Sequence, residues 1–108
     1  NVYAPFNAQA TLFTRRGLWA LFLPTTVHGR VSDILRSYIA QRLFWTVGLH
    51  ISFHKPWVKQ IRNSHDYLSD FMSERPLYEK TEELLRVLHQ WRPRKGHEDN
   101  WAAIPQRL

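Results

Sequence analysis

From Val31 the apolar side chains return every three or four positions, through Ile34, Leu35, Tyr38, Ile39, Leu43, Phe44 and Val47. That spacing lines one side of an α-helix. Ser32 is placed to cap it and Gly48 to stop it, while Asp33, Arg36, Ser37, Gln41 and Arg42 form the other side. A second stripe, Leu77, Thr81, Leu84, Leu85, Leu88 and Trp91, predicts another helix with Glu82 and Arg86 at an i,i+4 spacing. Pro76 suits its first turn, where a missing amide costs nothing, and Pro93 and Gly96 end it. Between the two, residues 49–54 alternate apolar and polar, the period of a strand with His50, Ser52 and His54 on one side. Lys55 and Pro56 interrupt this pattern, and 57–61 resume it as an extended run. A turn at Arg62, Asn63 and Ser64 follows, with Asn63 or Ser64 capping a short helix over 65–72. Upstream, 1–9 is irregular, 10–14 has the β-branched and aromatic content of a short strand, and 18–23, an apolar run too short to show a period, reads as a helical turn ended by Pro24 in preference to a second strand. Residues 25–30 read as a loop in which Gly29 is free to take angles closed to other residues.

With 108 residues the chain is one domain at most, 1–92, followed by 93–108, a polar linker or tail with an isolated Trp101. Hydrophobic residues make up 44% and aromatic ones 14%, enough for a core dominated by rings. The absence of cysteine excludes disulfides, thiolate nucleophiles and thiolate metal sites. The longest apolar runs, 17–24 and 43–47, fall far short of the roughly 18 to 20 residues that span a bilayer. An opening with neither initiator Met nor signal-peptide pattern suggests a piece of a longer protein.

Charge changes the picture most. Asp33 is the only carboxylate among the first 65 residues, which carry eight arginines and lysines and a formal charge of +7; the remainder sums to −1. A lone acid on a helix in a cationic field fits a carboxylate acting beside an anionic ligand, though on composition alone the plainer reading, an acid that settles a helix start and pairs with Arg36, comes first. A cationic setting suits the ionised carboxylate a general base must present. Guanidinium forks at Arg30 or Arg36 would match a diphosphate.

Other chemistry is thinner. His28, His54 and His65 stand at predicted loops or element ends, but no HExxH or closely spaced helical pair accompanies them. Arg42, Phe44, Trp45, Trp57, Lys59 and Arg62 could line a groove for single-stranded nucleic acid, though no RNP, KH or zinc-finger signature supports that use. The chain has no Gly-rich phosphate loop, no GxSxG elbow and no Asp-x-Asp pair.

The runs Ala8-Gln9-Ala10-Thr11-Leu12-Phe13 and Leu23-Pro24-Thr25-Thr26-Val27-His28-Gly29-Arg30-Val31-Ser32-Asp33-Ile34-Leu35-Arg36-Ser37-Tyr38 resemble the glycosyltransferase-like family that contains the plant STELLO proteins. The resemblance continues through Lys55-Pro56, Gln60-Ile61-Arg62-Asn63-Ser64-His65-Asp66-Tyr67-Leu68, Asp70 and Pro76-Leu77-Tyr78, and covers about residues 3 to 91. A weaker similarity reaches the UDP-arabinopyranose mutases, or reversibly glycosylated polypeptides. Their Gly-Arg-Tyr-Asp-Asp-Met-Trp run corresponds to 29–35 here, with Asp33 at the second acid and Ser32 in place of the first.

The resemblance implies an α/β piece, the C-terminal, acceptor-side half of a GT-A-like nucleotide-diphospho-sugar transferase, with a short mixed sheet and flanking helices. It implies a nucleotide-sugar donor and a glycan or glycosylated acceptor, with Asp33 as general base for the acceptor hydroxyl. His28, Arg30, Ser32, Arg36, Asn63 and His65 are the expected substrate contacts. A divalent ion, Mn²⁺ or Mg²⁺, is expected with ligands mostly outside this chain; His65 is the residue here that could reach one. By the same resemblance the parent sits on the lumenal side of the Golgi membrane, in a complex with protein partners. The alternative is a non-catalytic assembly module of the same fold, with Trp45, Trp57 or Trp101 as binding anchors; nucleic-acid binding comes third.

Overall fold

The computed structural model describes residues 2–93 and rests on two long helices, α1 (Gly29–Thr46) and α2 (Tyr67–Gln90), after a short 3-10 helix, Arg15–Leu21. No strand occurs among the described residues. The expected α/β piece with a short mixed sheet is therefore replaced by a helical one. Pairing is the physical reason: a strand is stable only when a neighbour takes up its amides and carbonyls, and 10–14, 49–54 and 57–61 have no such neighbour. The alternation in 49–54 does place Leu49 and Ile51 against the core. Beyond them, residues 52–64 are exposed throughout.

Helix α1 is the centre of the molecule, and it is buried on more than its apolar side. Of the apolar stripe Val31, Leu35, Tyr38 and Phe44 are buried, with Ala40 beside them, while Ile34, Ile39, Leu43 and Val47 are half-buried; Ser32, Arg36, Ser37 and Gln41 are buried as well. What covers the polar side is the N-terminal segment, 4–8, lying along it as a strap. The amides of Ala8, Phe6 and Ala4 donate to Asp33 Oδ2 (2.7 Å), Ser37 Oγ (3.1 Å) and Gln41 Oε1 (2.9 Å), and Gln41 Nε2 returns a bond to the Ala4 carbonyl (2.7 Å). Every second residue of the strap thus meets every fourth residue of α1. Pro5, which has no amide to give, falls between two rungs.

The ends of α1 follow local chemistry. His28 is the N-cap, its Nδ1 accepting from the Arg30 amide at 3.3 Å, so the helix starts ahead of the expected cap and Gly29 is its first residue. Ser32, inside the helix, donates its hydroxyl to the Gly29 carbonyl instead. At the far end Gly48 takes φ +68°, and the Leu49 amide reaches back to the Phe44 carbonyl at 2.9 Å while its side chain packs beside Phe44. This is a Schellman stop, with glycine in the left-handed region. The 3-10 helix packs Ala20 against Ala40 and Phe44, sets Trp19 edge-on to Phe44 at 5.3 Å, and sends Arg16 Nη2 to the Val47 carbonyl (3.3 Å).

The short helix expected over 65–72 and the helix expected from Pro76 are one continuous helix of 24 residues. Its N-cap is Asp66, accepting from the Leu68 and Ser69 amides, not Asn63 or Ser64. An internal proline costs about 3 kcal/mol. Contacts to α1 on both sides of it compensate: Arg30 pairs with Asp70 and with Glu74 (2.9 Å) before Pro76. After it, Arg42 donates to the carbonyls of Leu88 (3.0 Å) and Trp91 (2.6 Å), with its guanidinium 5.0 Å from the Trp91 ring. Early α1 meets early α2 and late meets late, so the helices run in the same direction and the connector 47–66 carries the chain back.

Candidate functional site

The expected site residues separate into two groups around α1. At the start of the helix, His28 caps, Ser32 bonds to the Gly29 carbonyl, and Arg30 reaches α2. There Arg30 Nη2 pairs with Asp70 and Nε with Glu74 Oε1, both acids lying on one side of α2 a turn apart. His65 joins from the connector, Nε2 at 3.5 Å from Asp70 Oδ2, with its Nδ1 against the Asn63 carbonyl (2.9 Å) and its ring on Tyr67 (4.7 Å). So His28, Arg30, Asn63 and His65 are brought to one end of the helix pair. Two of them, Arg30 and His65, are gathered on the carboxylate of Asp70, a residue the sequence reading had not singled out as a site. Its signal was present in the i,i+4 acids Asp70 and Glu74, set opposite a basic half.

Asp33 and Arg36 form the second group. Asp33 lies in the second turn of α1, part-exposed, with Oδ2 accepting the Ala8 amide and Oδ1 that of Ile34 (2.9 Å). A carboxylate has about four acceptor positions, so hydrogen-bonding capacity remains for a substrate hydroxyl. Arg36, one turn on, makes no ion pair with Asp33 among the described residues. Its guanidinium lies 5.8 Å from the Phe13 ring.

No group of three or more His, Asp or Glu among the described residues is arranged to hold a metal ion. The nearest approach, His65 with Asp70 and Glu74, has Arg30 where a cation would sit. The described residues do not fit a divalent ion. The residues suggested for a nucleic-acid groove are scattered: Phe44 is buried, Trp45 packs on Tyr3 at 4.6 Å, Arg42 caps α2, and Trp57, Lys59 and Arg62 are exposed on the connector. Trp101 lies outside the described residues.

Residues 30–104 match the family model described as STELLO glycosyltransferases, a span that takes in Arg30, Asp33, Arg36, the connector and all of α2. The chain belongs to the STELLO glycosyltransferase family. Among curated proteins it is similar to "Probable glycosyltransferase STELLO1" of Arabidopsis thaliana, 32% identical over 94 residues covering 87% of this chain. "Probable glycosyltransferase STELLO2" of the same plant is 32% identical over 91 residues, 84% of this chain. The chain spans 12% of the length of each of these STELLO relatives. No solved structure matches this STELLO family chain. Among the described residues no helix is long and apolar enough to cross a membrane.

Proposed function

We propose that this chain contributes to sugar transfer from a nucleotide-sugar donor to a glycan or glycosylated acceptor, in a STELLO-type protein of the Golgi lumen. Asp33 is its general base. Family membership supports the reaction class, and one observation carries the assignment of Asp33: the only carboxylate of the basic half is held in place by the strap with acceptor positions left over. In the reaction, Asp33 takes the proton of the acceptor hydroxyl as that oxygen bonds to the sugar's anomeric carbon. The bond from that carbon to the donor phosphate breaks, and the nucleotide leaves with the electron pair. The divalent ion such a transfer uses has to be held by groups other than the described residues.

The test is Asp33→Asn in the intact protein. Asparagine keeps one oxygen for the Ala8 amide and gives up only the bond from the neighbouring Ile34 amide, so the strap should stay in place and the thermal midpoint should fall only slightly. Transfer should fall by roughly 100-fold or more, the typical worth of a positioned base. Wild-type turnover in a folded Asp33→Asn protein rules out the assignment.

A second reading, the non-catalytic assembly module, is favoured by exposed apolar side chains. Phe53, Trp57, Val58 and Ile61 on the connector and Tyr67, Phe71 and Tyr78 on α2 are all more than half exposed. Calorimetry of UDP-sugars against the intact protein with Mn²⁺ separates the two, since no binding favours the module.

A further inference from the structure

Arg36 is a buried charge that the described residues leave unanswered. It is 2% exposed, and neither Nε nor Nη2 has a hydrogen-bond partner. Isolating an ion in this way costs several kcal/mol unless something completes it. None of the acids of the described residues pairs with Arg36. Asp33 and Asp66 accept backbone amides, Asp70 and Glu74 hold Arg30, and Glu79, Glu82 and Glu83 pair with Arg75, Arg86 and Lys80.

The two open nitrogens are the informative detail. Nε–H and Nη2–H belong to one edge of the guanidinium and point the same way, the fork that grips two oxygens of one oxyanion. Arg30, six residues earlier on α1, shows the same edge in use, with Nη2 on Asp70 and Nε on Glu74. Arg30 is therefore neutralised within the fold, whereas Arg36 is not. The half of the chain to which it belongs carries a formal charge of +7, which favours a multiply charged anion. Phe13, itself part-exposed, has its ring 5.8 Å from the guanidinium, and movement of that side chain would open the group to an anion.

We propose that the Nε/Nη2 edge of Arg36 binds a phosphate group. Resting on the transferase reading above, that phosphate is part of the donor's diphosphate. Arg36 then is a substrate contact, and Arg30 a structural tie between the helices.

Binding of inorganic pyrophosphate, UDP and uridine to the full chain, by calorimetry and thermal shift at constant ionic strength, tests this. Pyrophosphate and UDP should bind and raise the midpoint; uridine should do neither. Arg36→Met should weaken both phosphate ligands by at least about tenfold, the cost of losing charge-assisted hydrogen bonds. Its midpoint without ligand should equal or exceed that of the wild type, since an unpaired buried charge is removed. If Arg36→Met does not fold, Arg36→Lys keeps the charge without the fork and should show the same direction of loss. Arg75→Met, on the exposed side of α2, should bind as the wild type does. Undiminished pyrophosphate binding in a folded Arg36 variant, or no binding to the wild type, overturns the site. Pyrophosphate binding that UDP does not share upholds the oxyanion site and overturns its link to the donor. Because the readout is binding, an intact protein that transfers no sugar but loses phosphate at Arg36→Met overturns the transferase reading alone.

Discussion

Ser37 shows how a single hydroxyl is used twice. It donates to the Ile34 carbonyl at 2.6 Å and accepts the Phe6 amide at 3.1 Å. Ser37→Ala strands that amide beneath the strap and should cost about 1 to 2 kcal/mol in denaturant unfolding. A loss within about 0.3 kcal/mol means the strap does not hold at that point. The arginines make the same point about legibility. The basic surplus of the first half was visible in the sequence, where it pointed to an anionic ligand at Arg30 or Arg36. In the structure Arg16 and Arg42 serve the carbonyl ends of α1 and α2, and Arg30 meets two acids from the other half of the chain. Such pairings depend on which helix lies beside which, and no local pattern encodes that. Asp33 was legible as unusual; that its carboxylate receives a backbone amide was not.

At the scale of elements, the helix read from Val31 onward and its stop at Gly48 survive nearly intact, because periodicity and a left-handed glycine are local signals. The strands do not, since alternation shows which side is apolar but not whether a neighbour exists to pair with. Asp33, Ser37 and Gln41 carried an unread signal. Short hydrogen-bonding side chains at i, i+4 and i+8 mark a helix side that can receive a backbone as well as solvent. Pro76 was misplaced for a related reason, because tertiary contacts on each side of it hold together a helix that its own sequence would break. Pro76→Ala should therefore stabilise the chain by up to about 3 kcal/mol, measured by thermal or urea unfolding. A near-neutral result would instead put Pro76 at a helix start.

For the molecule as a whole, the aromatic seam between strap, α1 and α2 sets a limit at high pH. Burial pushes the Tyr3 hydroxyl above its ordinary 10.0, against a smaller opposing pull from the Arg42 guanidinium, and burial raises Tyr38 likewise. The two rings meet edge-on at 6.2 Å. In the unfolded chain these hydroxyls lose their protons near 10.0 while the folded chain still holds them, so there the unfolded state binds fewer protons. Stability is therefore complete below pH 10.0 and falls as pH rises toward the folded values. Thermal midpoints from pH 9 to 11 should show that fall, and a Tyr3→Phe, Tyr38→Phe variant should show a shallower one. An identical slope in the variant would assign the alkaline loss to other groups. Removing the Tyr3 hydroxyl should cost little at neutral pH, since it is buried without a hydrogen-bond partner.

The strap on α1 has a geometric consequence. Two residues of extended chain advance about 6.6 Å, whereas four residues of α-helix advance about 6.0 Å, so each rung drifts by roughly 0.6 Å from the last. Such a vernier stays in step for a few rungs only. The next one would set Ala10 against Gly29, which has no side chain to accept, and there the strap has already turned away, with Ala10 at φ +48°. Inserting one residue between Ala4 and Ala8 should therefore release the rungs on one side of the insertion rather than slide the segment by a notch.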